Sequence, residues 1–120
     1  MKKLLVLYLI PPSVMDEWMK TPPEIRRSEE ERMSRDIQTW MSRRSRMFSD
    51  LGAGLGKAVR VLQGSTSNAR NALVMYAIVQ GDSKEAVAKV FQDHPHLQIP
   101  ESSIEVMEMF ALPDQAQAWT

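Results

Sequence analysis

Two stretches of the chain are apolar at every position. Residues 4–10 (LLVLYLI) and 73–79 (LVMYAIV) contain no charged side chain. A strand that is apolar on both faces is buried on both faces, so we predict two interior strands here. Residues 59–62 and 104–110 mix apolar with charged positions. Charges discourage an exposed strand from pairing with other chains, so we predict that these two strands lie at the sheet edges.

Apolar positions at helical spacing predict three helices between these strands. A short helix covers residues 13–19, with Ser13 as its N-cap. A long helix begins near Thr21, where a capping signal is followed by proline, and ends at Gly52. A third helix follows the capping pair Asp82 and Glu85. The stripe of the long helix consists of Ile25, Met33, Ile37, Trp40, Met41, Met47, Phe48 and Leu51.

The order of these elements predicts an α+β fold. Residues 64–68 (GSTSN) are typical of a turn between the second and third strands. With the short helix set aside, the order is β-α-β-β-α-β, the ferredoxin-like arrangement, in which the first and third strands are central. We expect residues 1–112 to form a single domain and residues 113–120 to form a loose tail.

A sheet with helices on one face leaves its other face to be covered. Both interior strands are apolar on each face, and exposing such side chains forgoes about 1.5–3 kcal/mol apiece. A second copy of the same sheet is the simplest cover, so we expect a homodimer. The alternative is that the C-terminal tail or the helix at residues 13–19 covers this face within one chain.

Composition narrows the partners and the location. The chain has 120 residues, of which 43% are hydrophobic and 25% charged, and its 15 basic residues balance 15 acidic ones. This neutral balance argues against a nucleic-acid or anionic-membrane partner. No cysteine is present, and the opening apolar run is too short to span a bilayer and is followed by two prolines. We therefore expect a cytoplasmic protein, and we predict no cofactor.

His94 and His96 are the only histidines. In an extended segment, residues two apart point the same way, so both could serve one pocket as general bases or metal ligands. Asp93, Glu101 or Glu105 could add a carboxylate, but nothing fixes a third ligand, so we predict no metal site. The competing interpretation, which we favour, is that one imidazole binds backbone carbonyls and holds the loop.

Four further residues are candidates for ligand binding. Two lie on the interior strands, where a tyrosine hydroxyl could face a pocket between the sheets of a dimer. Two lie before the third strand, where an arginine and an amide could bind a carboxylate. Alternatively, the tyrosines satisfy their hydroxyls structurally, and the arginine pairs with Glu105 or Asp82. The four candidates are Tyr8, Tyr76, Arg70 and Asn71.

The chain resembles the YCII-related (YciI-like) family, in particular its branch of small bacterial proteins of unassigned function. The resemblance rests on residues 3–8 (KLLVLY), 67–71 (SNARN), 82–86 (DSKEA), 94–100 (HPHLQIP) and 103–107 (SIEVM). It implies a ferredoxin-like fold that dimerises through its sheets into an α/β barrel. It also implies a His and an Asp near a pocket at the dimer interface, and one related enzyme removes chloride from a chlorinated aromatic.

This chain departs from the family in two places. No histidine precedes residue 94, so the early histidine of the family has no counterpart, and the Asp-Gly-Pro-Phe signature of a sister branch is missing. The fold therefore transfers better than the activity. The first hypothesis is a homodimer that binds a small apolar or aromatic ligand near the sheet interface. The second is a small cofactor-free lyase or hydrolase with His94 or His96 as base, so whether the chain is an enzyme stays open.

Overall fold

The computed structural model describes residues 1–112, which form an α+β fold with a four-stranded antiparallel sheet. The predicted tail at residues 113–120 lies outside the described residues. The elements are β1 (Lys2–Leu9), α1 (Pro12–Met19), α2 (Pro23–Ser42), β2 (Phe48–Gly54), β3 (Ala58–Leu62), β4 (Ser65–Ala69), β5 (Leu73–Gly81), α3 (Lys84–Val90) and β6 (Ser103–Glu108), with 3₁₀ turns at Ser45–Met47, Phe91–Asp93 and Pro95–Gln98.

The order of strands in the main sheet is β2-β5-β1-β6, with every neighbouring pair antiparallel. The two wholly apolar segments therefore form the two central strands, β1 and β5, as the sequence predicts. The predicted fourth strand is β6, and it lies at an edge, also as predicted. A strand that is apolar at every position needs cover on both of its faces, and the centre of a sheet is the place that provides it.

The helices cover one face of this sheet. Along β1 the residues alternate between fully buried and half-buried, because successive side chains point to opposite faces. The buried set faces α2 and α3, which contribute Trp40 and Val87. The core on this side consists of Leu4, Val6, Tyr8, Trp40, Ala77, Val79, Val87 and Phe91.

The predicted continuation of the long helix to Leu51 is wrong. α2 ends at Ser42, and Phe48–Gly54 form β2, which pairs with β5. The apolar positions of this segment fit a helix and a strand equally well, and the pairing with β5 selects the strand. Gly52 does not end a helix. It lies in the left-handed region with φ +78, at a register shift between Asp50 and Ala53 that is typical of a β-bulge.

The predicted second strand belongs elsewhere. Residues 59–62 lie in β3, which pairs only with β4 to form a separate two-stranded hairpin. Ser65–Ala69 are strand and not the turn that their composition predicts, because the turn is confined to Gln63 and Gly64. Gly64 supplies the positive φ that this tight connection needs.

The predicted helix caps differ from the observed ones. α1 and α2 follow Pro11 and Pro22, and neither has a side-chain cap, so the cap roles predicted for Ser13 and Thr21 are wrong. Proline sets the φ of the first turn and lacks the N–H that would need a partner. α3 is capped by Ser83, which accepts a hydrogen bond from the Ala86 N–H at 3.0 Å, one residue after the predicted cap.

Three glycine-to-alanine variants test the bulge. Gly56→Ala should change the free energy of unfolding little, because a Cβ there meets nothing within 4 Å. Gly64→Ala should cost about 1–2 kcal/mol for its positive φ alone. Gly52→Ala should cost about 3 kcal/mol or more, since its Cβ also clashes with the Tyr76 carbonyl. Urea unfolding measures all three, and equal losses at Gly52 and Gly64 would contradict the bulge.

Candidate functional site

Both histidines lie in a buried group of rings on the helical side of the sheet. Three elements supply this group: β1, the last turn of α2, and the segment that follows α3. Ring centroids are 4.5 Å apart for Trp40 and His94, 5.0 Å for Tyr8 and His94, and 5.8 Å for Phe91 and His94, which are stacked. We refer to Tyr8, Trp40, Phe91, His94 and His96 as the aromatic cluster.

His94 is held as a neutral ring. It is 2% exposed, and its Nδ1 accepts a hydrogen bond from the backbone N–H of His96 at 3.0 Å. The proton of a neutral ring is then on Nε2, which lies 3.4 Å from the hydroxyl of Tyr8. Burial, together with the neighbouring His96, lowers the pKa of His94 to about 4. Burial also raises the pKa of Tyr8, so neither group is charged near neutral pH.

His96 fastens the same segment to the sheet. It is 4% exposed, and its Nε2 donates a hydrogen bond to the carbonyl of Leu9 at 3.0 Å. Burial lowers its pKa, while hydrogen bonds to the backbone of Leu9 and Ser103 act in the opposite direction. This carbonyl contact is the structural role that the sequence offered as an alternative to catalysis.

A charged group closes the outer side of the cluster. The indole Nε1 of Trp40 donates to Asp93 Oδ1 at 2.9 Å, which lowers the pKa of that carboxyl group. Arg44 lies over the Trp40 ring at 4.1 Å and also pairs with Asp93 at 3.5 Å. Asp93 therefore holds Trp40 and Arg44, and it does not contact the histidine rings through a hydrogen bond.

This geometry limits what the histidines can do chemically. A general base needs a free nitrogen within reach of a substrate proton, but Nδ1 of His94 is engaged and both rings are buried. The sequence analysis assumed that the segment with His94 and His96 is extended. In the structure, Pro95–Gln98 instead form a 3₁₀ turn. Catalysis by His94 or His96 stays a hypothesis, and it requires this segment to move.

The structure does not bring the four predicted ligand-binding residues together. Tyr8 is in the core, whereas Tyr76 is on the opposite face of the sheet, where its hydroxyl lies 3.5 Å from Asp50 Oδ2. Arg70 pairs with Asp16 on the surface through bonds of 2.9 and 3.2 Å, and not with Glu105 or Asp82.

Asn71, the fourth of these residues, has a local role. Its side-chain oxygen accepts a hydrogen bond from the N–H of Leu73 at 2.9 Å, which is an Asx turn at the start of β5. The Arg70–Asp16 ion pair lowers the pKa of Asp16 and raises that of Arg70. These contacts fix the ends of the strand, and none of them surrounds a cavity.

A large cleft lies between α1, the middle of α2 and the turn at residues 98–101. Its volume is about 890 Å³, which falls in the range of small-molecule sites. No residue of the aromatic cluster lines it. Its apolar walls are formed by Ile10, Val14, Met15, Trp18, Met33, Ile99 and Pro100, and its polar groups come from Ser13, Glu17, Thr21, Glu29, Glu30, Arg32, Gln98 and Glu101.

Sequence reasoning did not identify this cleft. The pattern predicted apolar i,i+4 pairs in α1, formed by Val14 with Trp18 and by Met15 with Met19, but it gave them no partner. In the structure, Val14, Met15 and Trp18 are half-buried and face the cleft. The available signal was that the predicted apolar face of α1 had no assigned partner; in the structure α1 buries none of its side chains.

Residues 1–112 lack two further features, a group of metal-ligating side chains and a membrane-spanning helix. No group of three or more His, Asp or Glu side chains there could hold a metal ion. None of the helices described in this part of the chain combines the length and the apolar character needed to cross a membrane.

Comparison with known proteins adds no assignment. No protein-family model matches the chain, and no curated protein shows significant sequence similarity to it.

The buried His94 should make the protein lose stability in mild acid. Its pKa is about 4 when folded and 6.5 ordinarily, so between these values only the unfolded chain binds the proton. Stability is then complete above about pH 6.5 and falls by about 3 kcal/mol as the pH drops to 4. Urea unfolding at about pH 7 and pH 4.5 should show a smaller pH effect in His94→Gln than in wild type. The acidic residues contribute equally to both proteins, so parallel pH profiles would show that His94 is not held neutral.

Proposed function

We propose that the protein is a homodimer that binds a small organic molecule and does not use its histidines in catalysis. In this proposal the chain has the ferredoxin-like β-α-β-β-α-β arrangement and two sheets pack face to face, as the resemblance to the YCII-related family implies. The strand order β2-β5-β1-β6, with α2 and α3 on one face, supports that arrangement.

The open face of the sheet carries the dimer proposal. Residues that pair across antiparallel strands point to the same side. Leu5 pairs with Ile78 and Met107, and Leu7 pairs with Tyr76 and Glu105. None of these residues belongs to the buried core. We call Leu5, Leu7, Leu9, Tyr76, Ile78 and Met107 the open sheet face.

The composition of the open sheet face is that of an interface. Its centre is apolar, and its charges lie at the edges, where Asp50 pairs with Ile78 and Glu105 pairs with Leu7. An apolar centre with a polar rim is the usual pattern of protein interfaces. A second copy supplies the same pattern, so two-fold packing brings apolar centre against apolar centre.

The cleft beside α1 carries the ligand-binding part of the proposal. It has a volume of about 890 Å³, and its walls are mainly apolar. Its position differs from the sheet-interface site expected from the sequence, because no residue of the open sheet face lines it. The aromatic cluster supports a non-catalytic role for the histidines, because it engages both of them in the core.

The size of the particle in solution tests the dimer. Sedimentation velocity at micromolar concentration should give twice the chain mass of 13.7 kDa. Leu7→Lys places a charge in the middle of the open sheet face and should produce monomers. Met107→Lys, at an edge strand where the side chain is 46% exposed, should weaken the dimer less and keep the fold intact.

Val61→Lys is the matched control. Val61 is 78% exposed on the hairpin of β3 and β4, outside the main sheet, so this variant should remain a dimer. A wild-type monomer would refute the dimer proposal. If Val61→Lys is monomeric and Leu7→Lys is still a dimer, the dimer interface lies on the hairpin and not on the open sheet face.

A further inference from the structure

We infer that the cleft beside α1 binds a small organic cation with an apolar or aromatic body, such as an arylalkylamine. This inference rests on the proposed ligand-binding function and specifies the chemistry of the ligand. The cleft combines apolar walls with a carboxylate-rich edge, and an amine that carries a hydrophobic group matches both.

The walls are suited to a hydrophobic body. Val14, Met15 and Trp18 come from α1, Met33 from α2 and Ile99 from the turn before β6. All five are half-buried, so each retains apolar surface that a ligand could cover. Methionine side chains adapt to ligand shape, and an indole ring supplies a large flat contact.

Trp18 and Glu30 form the part of the cleft that is specific for a cation. The indole Nε1 of Trp18 donates a hydrogen bond to Glu30 Oε1 at 3.4 Å. An ammonium group next to this pair would meet the face of an aromatic ring and a carboxylate together. Trp is the side chain that attracts cations best through its ring, and the attraction grows where water is excluded.

The charge of the lining also favours a cation. Four of its residues are glutamates and one is an arginine. Arg32 is already neutralised, because it binds Glu29 at 2.8 Å and Asp36 at 3.2 Å. Glu17 pairs with Lys20 at 2.9 Å.

Glu30 and Glu101 differ from Glu17 and Glu29, which pair with Lys20 and Arg32. Within residues 1–112 the structure shows no ion pair for either. The nearby Arg26 does not line the cleft, and it donates to the Thr21 carbonyl and the Met19 sulfur. The lining therefore presents uncompensated negative charge to a ligand.

Glu101 has an unusual backbone for its residue type. It lies in the left-handed region at φ 57, and no other non-glycine residue among those described has a positive φ. Glycine or asparagine is preferred in that conformation. Glu101 lines the cleft, and substitution by glutamine or by glycine separates the effect of its carboxylate from that of its backbone conformation.

Isothermal titration calorimetry with three matched probes tests the inference on the full-length protein. The probes are 2-phenylethylamine, 2-phenylethanol and phenylacetate, which share a phenyl ring and differ in charge. The amine should bind about tenfold more tightly than the alcohol, and phenylacetate should bind most weakly. Raised salt should reduce this preference for the amine, because it screens the exposed carboxylates of Glu30 and Glu101.

Four variants locate the effect. Glu30→Gln keeps an acceptor for Trp18 and should weaken amine binding about fivefold while leaving the alcohol unchanged. Glu31→Gln, at the next position of α2 but outside the lining, should bind like wild type. Glu101→Gln should weaken binding of the amine. Glu101→Gly should also weaken binding of the amine, but it should unfold at a higher urea concentration than wild type. A purely structural role for Glu101 would not separate binding from stability in this way.

The outcomes are distinguishable. If none of the probes binds, the ligand-binding part of the proposed function fails together with the inference. If amine and alcohol bind equally, or if Glu30→Gln and Glu101→Gln bind the amine like wild type, ligand binding stands and the preference for a cation is overturned. Tightest binding of phenylacetate would overturn it as well.

Discussion

The packing of His94 against Tyr8, Trp40 and Phe91 is the contact on which the rest of the structure depends. It joins the first strand, the end of the long helix and the segment after the third helix at one point. The imidazole ring of His94 can pack at this point only while it is neutral, because burial of an imidazolium ion without a carboxylate partner costs free energy. The backbone N–H of His96 and the hydroxyl of Tyr8 satisfy its two nitrogens, and together they make a polar ring acceptable in the core.

This cluster fixes which face of the sheet is interior. Once Tyr8 points toward the helices, Leu7 and Leu9 point away, because side chains alternate along a strand. The same holds for β5, where Ala77 is interior and Tyr76 is on the other side. Within residues 1–112, α2 and α3 cover one face of the sheet, yet the central strands β1 and β5 are apolar on both faces. Because side chains alternate along β1 and β5, the second apolar face of the sheet also favours a cover, and this is the physical basis of the proposed dimer.

How far the sequence predicts this structure depends on how many interpretations each segment allows. Seven consecutive apolar residues allow only an interior strand here, and β1 and β5 were predicted correctly. Phe48 and Leu51 allow either a helical stripe or a strand, and only pairing with β5, a non-local interaction, selects the strand. The competing roles of the histidines could not be resolved because their partners, Tyr8 and Leu9, are more than 80 positions away. The cleft was missed for a related reason: three separate segments form it, and the pattern within any one of them does not reveal a shared cavity.

The long helix separates two tasks along its length. Its only buried residue is Trp40, near the C-terminal end, where Asp93 and Arg44 hold the indole ring. Its middle carries Met33 to the cleft, which the half-buried apolar side chains of α1 also line. Apolar surface left half-exposed in the free protein becomes a source of stability when a ligand covers it, and a ligand that binds only the folded state raises its stability by mass action. The aromatic cluster therefore packs the C-terminal end of α2 into the core, whereas the cleft of the proposed ligand lies beside the middle of the same helix.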